Sequence, residues 1–245
     1  MNKIKGPTWI ATPGYEALSA AMARIMADCV IQKPDAFFCL ASGQSTLRAY
    51  ELFVGLVNSE SIDISKLRVI KLDEWVGLPM DHPATCEDFV QKYFLRPLNF
   101  PADRYIGFSS CTSDPATECS RVSELLAING PIDLCLLGLG KNGHLGLNEP
   151  AAFLQPFTHT AELAPKTQGH AMLQKTEKAP TQGMTIGMTD IMVSGTVVLG
   201  IVGEGKAEIY ERLVSGKITT EIPATMLWMH PRAVCLVDTE VFELK

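Results

Sequence analysis

The sequence predicts an α/β fold with a mostly parallel sheet and helices on both of its faces. Three observations lead there. Strand-like apolar runs alternate with helical patterns along the whole chain. Several of those runs are apolar at every position, as buried parallel strands are. The chain has 245 residues, 47% hydrophobic and 20% charged, which suits one α/β domain with a large core or at most two small ones. No repeat, low-complexity tract or linker divides it, so residues 1–245 read as one domain.

The elements follow in order. Residues 15–32 form an amphipathic helix. Residues 36–41 (Ala36 to Ala41) read as a strand, then a polar loop, then a helix over about 46–58. Residues 68–72 are the next strand, with a helix near 85–95. Residues 117–129 are helical and 132–137 form a strand. Residues 196–202 form another strand, with a helix over about 205–214, and 233–237 close the pattern. In such a sheet, functional residues gather beyond the C-terminal ends of the strands.

Composition narrows the function classes. A formal net charge of −6 argues against a nucleic-acid partner. It leaves anionic substrates open, because phosphate sites use local donors rather than net charge. No apolar run has the length of a membrane span. The N-terminal stretch through Ala17 lacks the apolar core of a signal peptide. Cysteines 29, 39, 86, 111, 119, 135 and 235 show no metal-ligand or CxxC spacing, so they read as free thiols in a cytoplasmic protein.

Four strand ends carry polar signals. The strongest is Gly138-Leu-Gly140-Lys-Asn142-Gly-His144-Leu-Gly-Leu-Asn-Glu149-Pro150. Its glycines let the backbone turn sharply and approach a ligand, and its His144 and Glu149 suit proton transfer on a small molecule. The run Gly138-x-Gly140-x-x-Gly143 formally matches a dinucleotide fingerprint. That fingerprint needs a helix running on from the third glycine, and Gly146, Asn148 and Pro150 oppose one. A structural histidine in a tight turn is the plain alternative.

The second signal is Ser42, Gly43, Gln44, Ser45 and Thr46, which offer hydroxyls and backbone N–H groups at a helix start. This is an anion cradle or an ordinary N-cap. The third is Gly200 to Ala207. It nearly completes a GxxxxGK[ST] phosphate loop, but Ala207 replaces the hydroxyl that would hold Mg²⁺. Lys206 there suits a phosphate monoester without a metal, the alternative being a solvated lysine after a glycine turn. The fourth is Asp73 and Glu74, which end an apolar strand beside Trp75 and the Gly77–Pro79 turn. One carboxylate could act as a general base while the other binds backbone N–H groups, the alternative being two solvated turn acids. No His/Cys/Asp cluster has metal spacing, and no GxSxG nucleophile elbow is present.

At these residues the chain resembles the glucosamine-6-phosphate deaminase/isomerases and, more closely, the galactosamine-6-phosphate deaminase/isomerase branch. The resemblance rests on residues 72–79, 138–150 and 203–206 and runs from about residue 12 onward. It implies a modified Rossmann-like three-layer α/β/α fold. It also implies conversion of a hexosamine 6-phosphate to a ketose 6-phosphate and ammonia, with neither cofactor nor metal. The implied partner is a small-molecule sugar phosphate, with no nucleic acid or membrane, in a monomer or small homo-oligomer.

By that resemblance Asp73 is the base that moves a proton between C2 and C1. His144 assists opening of the pyranose ring, Glu149 orients it, and Lys206 and residues 42–46 grip the phosphate. Asn142 stands where many members have Asp, and it can hydrogen-bond without adding charge. Gln168 stands where the glucosamine enzymes have a substrate-binding Arg, which makes His170 a candidate sugar contact. The alternative for His170 is a histidine on a surface helix. The sequence stops at Lys245 without the C-terminal extension of the allosteric hexameric members, so activation by N-acetylglucosamine 6-phosphate is expected to be absent. Two other readings are a 6-phosphogluconolactonase, with a similar fold and a related Gly-His loop, and a non-catalytic sugar-phosphate sensor. The intact acid/base positions, and the lack of a basic helix-turn-helix before residue 12, weigh against the sensor.

Overall fold

The computed structural model describes residues 6–243. Residues 1–5, which open the N-terminal stretch read above, and Leu244 and Lys245 lie outside the described residues. The strands are β1 (Thr8–Thr12), β2 (Phe37–Leu40), β3 (Arg68–Lys71), β4 (Asp73–Trp75), β5 (Tyr105–Ile106), β6 (Leu134–Gly138), β7 (His159–Glu162), β8 (Gln182–Thr185), β9 (Thr196–Ile201) and β10 (Ala233–Asp238). Seven of them form one sheet in the order β1-β10-β9-β6-β2-β3-β5, with every neighbouring pair parallel. The other three form a small antiparallel sheet, β4-β8-β7.

The helices are α1 (Gly14–Gln32), α2 (Gln44–Ser59), α3 (Cys86–Val90), α4 (Pro115–Asn129), α5 (Pro165–Gln168), α6 (Met188–Met192) and α7 (Ala207–Val214). They build a three-layer Rossmann-like fold. Strand β2 shows the layering directly, because successive side chains leave a strand on opposite faces. Phe37 and Cys39 join a core with Val122 and Leu126 of α4 and Ile209 and Leu213 of α7. Phe38 and Leu40 join a separate core with Met22 and Met26 of α1 and Tyr50 and Phe53 of α2. With apolar partners on both faces, every residue of β2 is buried, which is why its sequence is apolar throughout.

The five strands expected from sequence are all present, within two residues of their expected limits. Helix α2 begins at Gln44 with Gly43 as its cap, and no side chain caps it. Helix α4 begins at Pro115, two residues before its expected start. Asp114 caps it by accepting from the N–H groups of Ala116 and Thr117. Residues 85–95 are helical in two parts, α3 and a π-helical turn, Gln91–Leu95. Edge strands β1 and β5 and the antiparallel sheet had no counterpart in the sequence reading. Asp73 and Glu74, expected to end a strand at a turn, instead begin β4: the chain leaves the main sheet after Lys71 and pairs antiparallel with β8. The turn follows at Gly77, as expected.

Candidate active site

Four neighbouring strands of the main sheet, β9, β6, β2 and β3, end at one cavity of about 240 Å³. Each is followed by a segment that the sequence singled out.

After β3, the chain enters β4 with Asp73 and Glu74, both buried. Glu74 has a full set of partners. Its Oε1 accepts from the N–H groups of Trp75 and Cys86, and its Oε2 from Glu87 N–H and, at 2.7 Å, from Lys71 Nζ. Lys71 is itself fully buried and also donates to Glu87 Oε2 at 2.8 Å and to the Phe108 carbonyl at 3.0 Å. Asp73 is the opposite case. It lines the cavity, and its Oδ1 is buried with no hydrogen-bond partner. Burial, and then the charge of Glu74, push its carboxyl up to about 7, against the smaller opposing influence of His144, Cys86 and Lys71. The two acids are not solvated turn residues. One binds backbone N–H groups and the other is held near neutrality, facing the cavity.

After β6 comes the glycine-rich loop. Gly140 is required there: a Cβ would lie 2.1 Å from Cδ2 of the His144 ring, which packs against the bare backbone. His144 Nδ1 sits 3.4 Å from Glu149 Oε2 and 3.2 Å from Thr167 Oγ1. Asn142 ties the loop together, donating from Nδ2 to Glu149 Oε2 at 2.6 Å and accepting from His144 N–H at its Oδ1. Burial alone would raise the Glu149 carboxyl. The His144 contact and charge, with Thr167 and Asn142, outweigh it and hold the group below the ordinary carboxylate value. Asn142 therefore buttresses the carboxylate rather than the imidazole ring. No helix follows Gly143, so the loop does not continue as a dinucleotide fingerprint would.

After β2, residues Ser42 to Thr46 line the cavity. Gly43 adopts φ 122°, a left-handed conformation that suits glycine, and it turns the chain into α2. The first turn of a helix has N–H groups without an intrahelical acceptor, and those of Gln44 and Ser45 belong to this wall. Thr46 turns its hydroxyl back to the Ala41 and Gly43 carbonyls, bracing the turn.

After β9, Lys206 sits at the cap of α7, partly buried and lining the cavity. Burial, then the nearby Lys141 cation, push its amine down to about 8. Two further cations, Lys141 and Lys166, line the same space.

His170 also lines the cavity, with its ring centroid 5.9 Å from that of Trp75. It is no surface-helix histidine. Its Nδ1 accepts from Met172 N–H at the start of a short 3₁₀ turn, and burial, followed by the charges of His144, Lys206 and Lys141, pushes it down to about 4. The structure corrects the expectation for Gln168. Its amide donates to the Leu163 carbonyl at 2.8 Å, which fastens α5 to the segment before it, and it is not part of the cavity wall. The adjacent Thr167 takes the place at His144. Thr167, Lys141, Lys166, Trp75 and Cys86 are wall residues that the sequence reading did not select. Lys141 and Trp75 lay within quoted motifs, whereas nothing in the sequence ties Thr167 to His144, 23 positions away. Among the described residues no group of three or more His, Cys, Asp or Glu side chains could hold a metal ion.

Comparison with known proteins agrees with this arrangement. Residues 14–236 match the family described as glucosamine-6-phosphate isomerases/6-phosphogluconolactonase. The chain is 43% identical over 225 residues to the Escherichia coli (strain K12) protein named "Putative deaminase AgaI", covering 92% of this chain and 89% of that one. It is 34% identical to a glucosamine-6-phosphate deaminase of Clostridium perfringens (strain 13 / Type A), over 96% of this chain and 98% of the relative. The solved structure of a monomeric glucosamine-6-phosphate deaminase superposes with a TM-score of 0.91 at 31% identity, covering 95% of this chain and 98% of the other. A 6-phosphogluconolactonase from Trypanosoma brucei shares the fold, with a TM-score of 0.72 at 19% identity. By sequence and by fold, the chain belongs to the family of glucosamine-6-phosphate isomerases and 6-phosphogluconolactonases.

Proposed function

We propose that this protein is an amino-sugar-6-phosphate deaminase/isomerase that prefers galactosamine 6-phosphate, giving tagatose 6-phosphate and ammonia. One observation carries the reaction class. A buried carboxyl poised near pH 7, Asp73, shares a cavity with His144, which Glu149 backs from behind the cavity wall. Aldose-to-ketose conversion of a closed sugar needs both. The ring must open before the C2 proton becomes acidic, and a second base must then reach that proton.

In this reading His144, steered by Glu149 and Thr167, gives a proton to the ring oxygen as the C1–O bond of the ring breaks, and takes the C1 hydroxyl proton as the C1 carbonyl forms. Asp73, ionised, takes the proton from C2; that bond's electrons form the C1=C2 double bond, and the carbonyl π electrons pass to O1, which takes a proton from His144 to give an enol-amine. Asp73 then returns the proton to C1, and the nitrogen lone pair forms the protonated C2 imine. Water adds at C2, ammonia departs, and the remaining proton returns to His144, leaving the ketone. The phosphate lies among Lys206 and the N–H groups of residues 42–46, which leaves the C1–C2 end for Asp73. A lactonase needs an activated water but no base at C2, so it gives a buried Asp73 with one unpartnered oxygen no task.

One feature supports the galactosamine preference: Gln168 puts no guanidinium into the cavity, where the glucosamine enzymes that the sequence resembles have a substrate-binding Arg. The test is ammonia release from galactosamine and glucosamine 6-phosphates, with 6-phosphogluconolactone as the third substrate. Lactone hydrolysis without ammonia release rejects the reading. Ammonia released with a kcat/KM that favours the glucosamine epimer rejects the preference alone.

A further inference from the structure

We infer that Lys141 is the second phosphate ligand of this site, clasping the substrate's phosphate with Lys206 in place of the guanidinium that position 168 does not supply. The inference deepens the proposed function and rests on it. Three observations converge. Gln168 is turned to the Leu163 carbonyl and adds no donor to the cavity. Strands β6 and β9 are neighbours with Gly138 opposite Gly200, so the loop carrying Lys141 and the loop carrying Lys206 rise side by side from the sheet. Both lysines line the cavity, and among the described residues neither is in an ion pair.

Two cations facing one space with neither in an ion pair repel each other, a cost removed when a dianion enters between them. Burial, and then the Lys141 charge, push the Lys206 amine down. The other charged groups in the wall are Lys166, Glu204, His170, His144 and Asp73. Glu204, on the Lys206 loop, is exposed, as Lys141 is, and forms an ion pair with neither lysine, while Asp73 and His144 belong to the reacting end. The third wall of the clasp is the start of α2. There Gly138, opposite Ser45, leaves room that a Cβ would fill at 2.8 Å from the Ser45 hydroxyl. A phosphate monoester therefore meets one cation from each of two adjacent loops and N–H groups from a third. The two ammonium groups act as point charges rather than as a bidentate fork, so Arg at position 141 should serve as well as Lys.

The test uses the full chain with Lys141→Ala, Lys141→Gln and Lys141→Arg, and with Lys206→Ala for comparison. Inorganic phosphate is titrated by calorimetry, and KM and kcat are measured on the preferred hexosamine 6-phosphate. Both neutral variants should bind phosphate about tenfold more weakly or worse, and raise KM by more than they lower kcat, as loss of a charge-assisted contact predicts. Lys141→Arg should keep most of the affinity. In Lys141→Ala the amine of Lys206, followed by NMR, should titrate at higher pH than in the wild type. Unchanged phosphate affinity in both neutral variants overturns the assignment, even if ammonia release is intact. Absence of ammonia release in the wild type, with phosphate binding still lost in Lys141→Ala, removes the functional reading and leaves the anion clasp standing.

Discussion

Asp73 illustrates what a single residue contributes when its neighbour takes all the donors. Glu74 collects the N–H groups of Trp75, Cys86 and Glu87 and the Lys71 amine, and Asp73 keeps a buried oxygen with none. A carboxylate so placed is a strong base for its environment, and a general base works best when its pKa lies near the working pH. The kcat/KM profile should therefore have an acidic limb near pH 7, with activity rising as Asp73 ionises. Asp73→Asn should lower turnover by about 10²-fold or more while KM changes little, and should abolish solvent-deuterium exchange into substrate. Stability should move the other way. The folded-state value of about 7 lies above the ordinary 3.8, so between those values the folded protein holds the extra proton, and stability falls as pH rises through that window. The neutral Asn side chain removes the fall. Urea denaturation at pH 8 should find Asp73→Asn more stable than the wild type. A variant equal to wild type in turnover, or less stable than it at pH 8, contradicts the assignment.

At the scale of elements, the glycine-rich loop and the β3–β4 junction carry the residues assigned to the two ends of the proposed chemistry. His144 and Glu149 hang on one loop that Asn142 laces and Gly140 makes room for, so they should act as a unit. Turnover in His144→Gln, Glu149→Gln and the double variant should show losses well short of multiplicative. Independent, multiplying losses would separate the pair. At the junction, Lys71 is the only cation bonded to Glu74 and Glu87 among the described residues. Lys71→Met leaves the buried Glu74 and the partly buried Glu87 without a counter-ion, and should destabilise by about 3–5 kcal/mol in denaturant titration.

These elements also mark how far the sequence was legible. The long amphipathic helices and fully apolar strands announced themselves, because both faces of the main sheet are dry and no polar residue interrupts β2 or β6. The antiparallel sheet stayed hidden. Its strands β7 and β8 have four residues each and mix His, Thr, Glu and Gln with Ala, Gly and Met, so neither period is expressed. Asp73, Glu74, His144 and Glu149 were legible because each sits in a motif at a strand end. The pairing of His144 with Thr167 was not, since it is made by a chain segment that only the tertiary fold brings across. The same holds for Gln168, whose direction is set by the Leu163 carbonyl rather than by its neighbours in sequence.

For the molecule as a whole, the site is a seam along the C-terminal edge of four adjacent parallel strands, all within one chain. In the proposed site an anion would contact loops from β2, β6 and β9 at once, so it should stabilise the entire fold rather than one element. A ligand that binds only the folded state adds RT ln(1 + [L]/Kd), about 1.4 kcal/mol at ten times Kd. The effect must depend on pH through Lys206. Its folded-state value of about 8 lies below the ordinary 10.5, so the empty site loses its proton first, and above pH 8 an anion must bring that proton back. Sulfate keeps a constant charge across this range and isolates the lysine's titration. The rise in Tm produced by sulfate should be largest below pH 8 and should shrink as pH climbs above it. Sulfate also stabilises proteins by exclusion from their surface, a contribution independent of this site. Lys206→Ala retains that contribution and should lose the rest, so the difference between wild type and variant is the quantity to follow. A difference that is zero throughout would place anion binding away from Lys206, and one that persists unchanged above pH 8 would contradict the lowered titration of its amine. A difference that fades through pH 8 ties the stability of the whole sheet to the charge of one lysine at its edge.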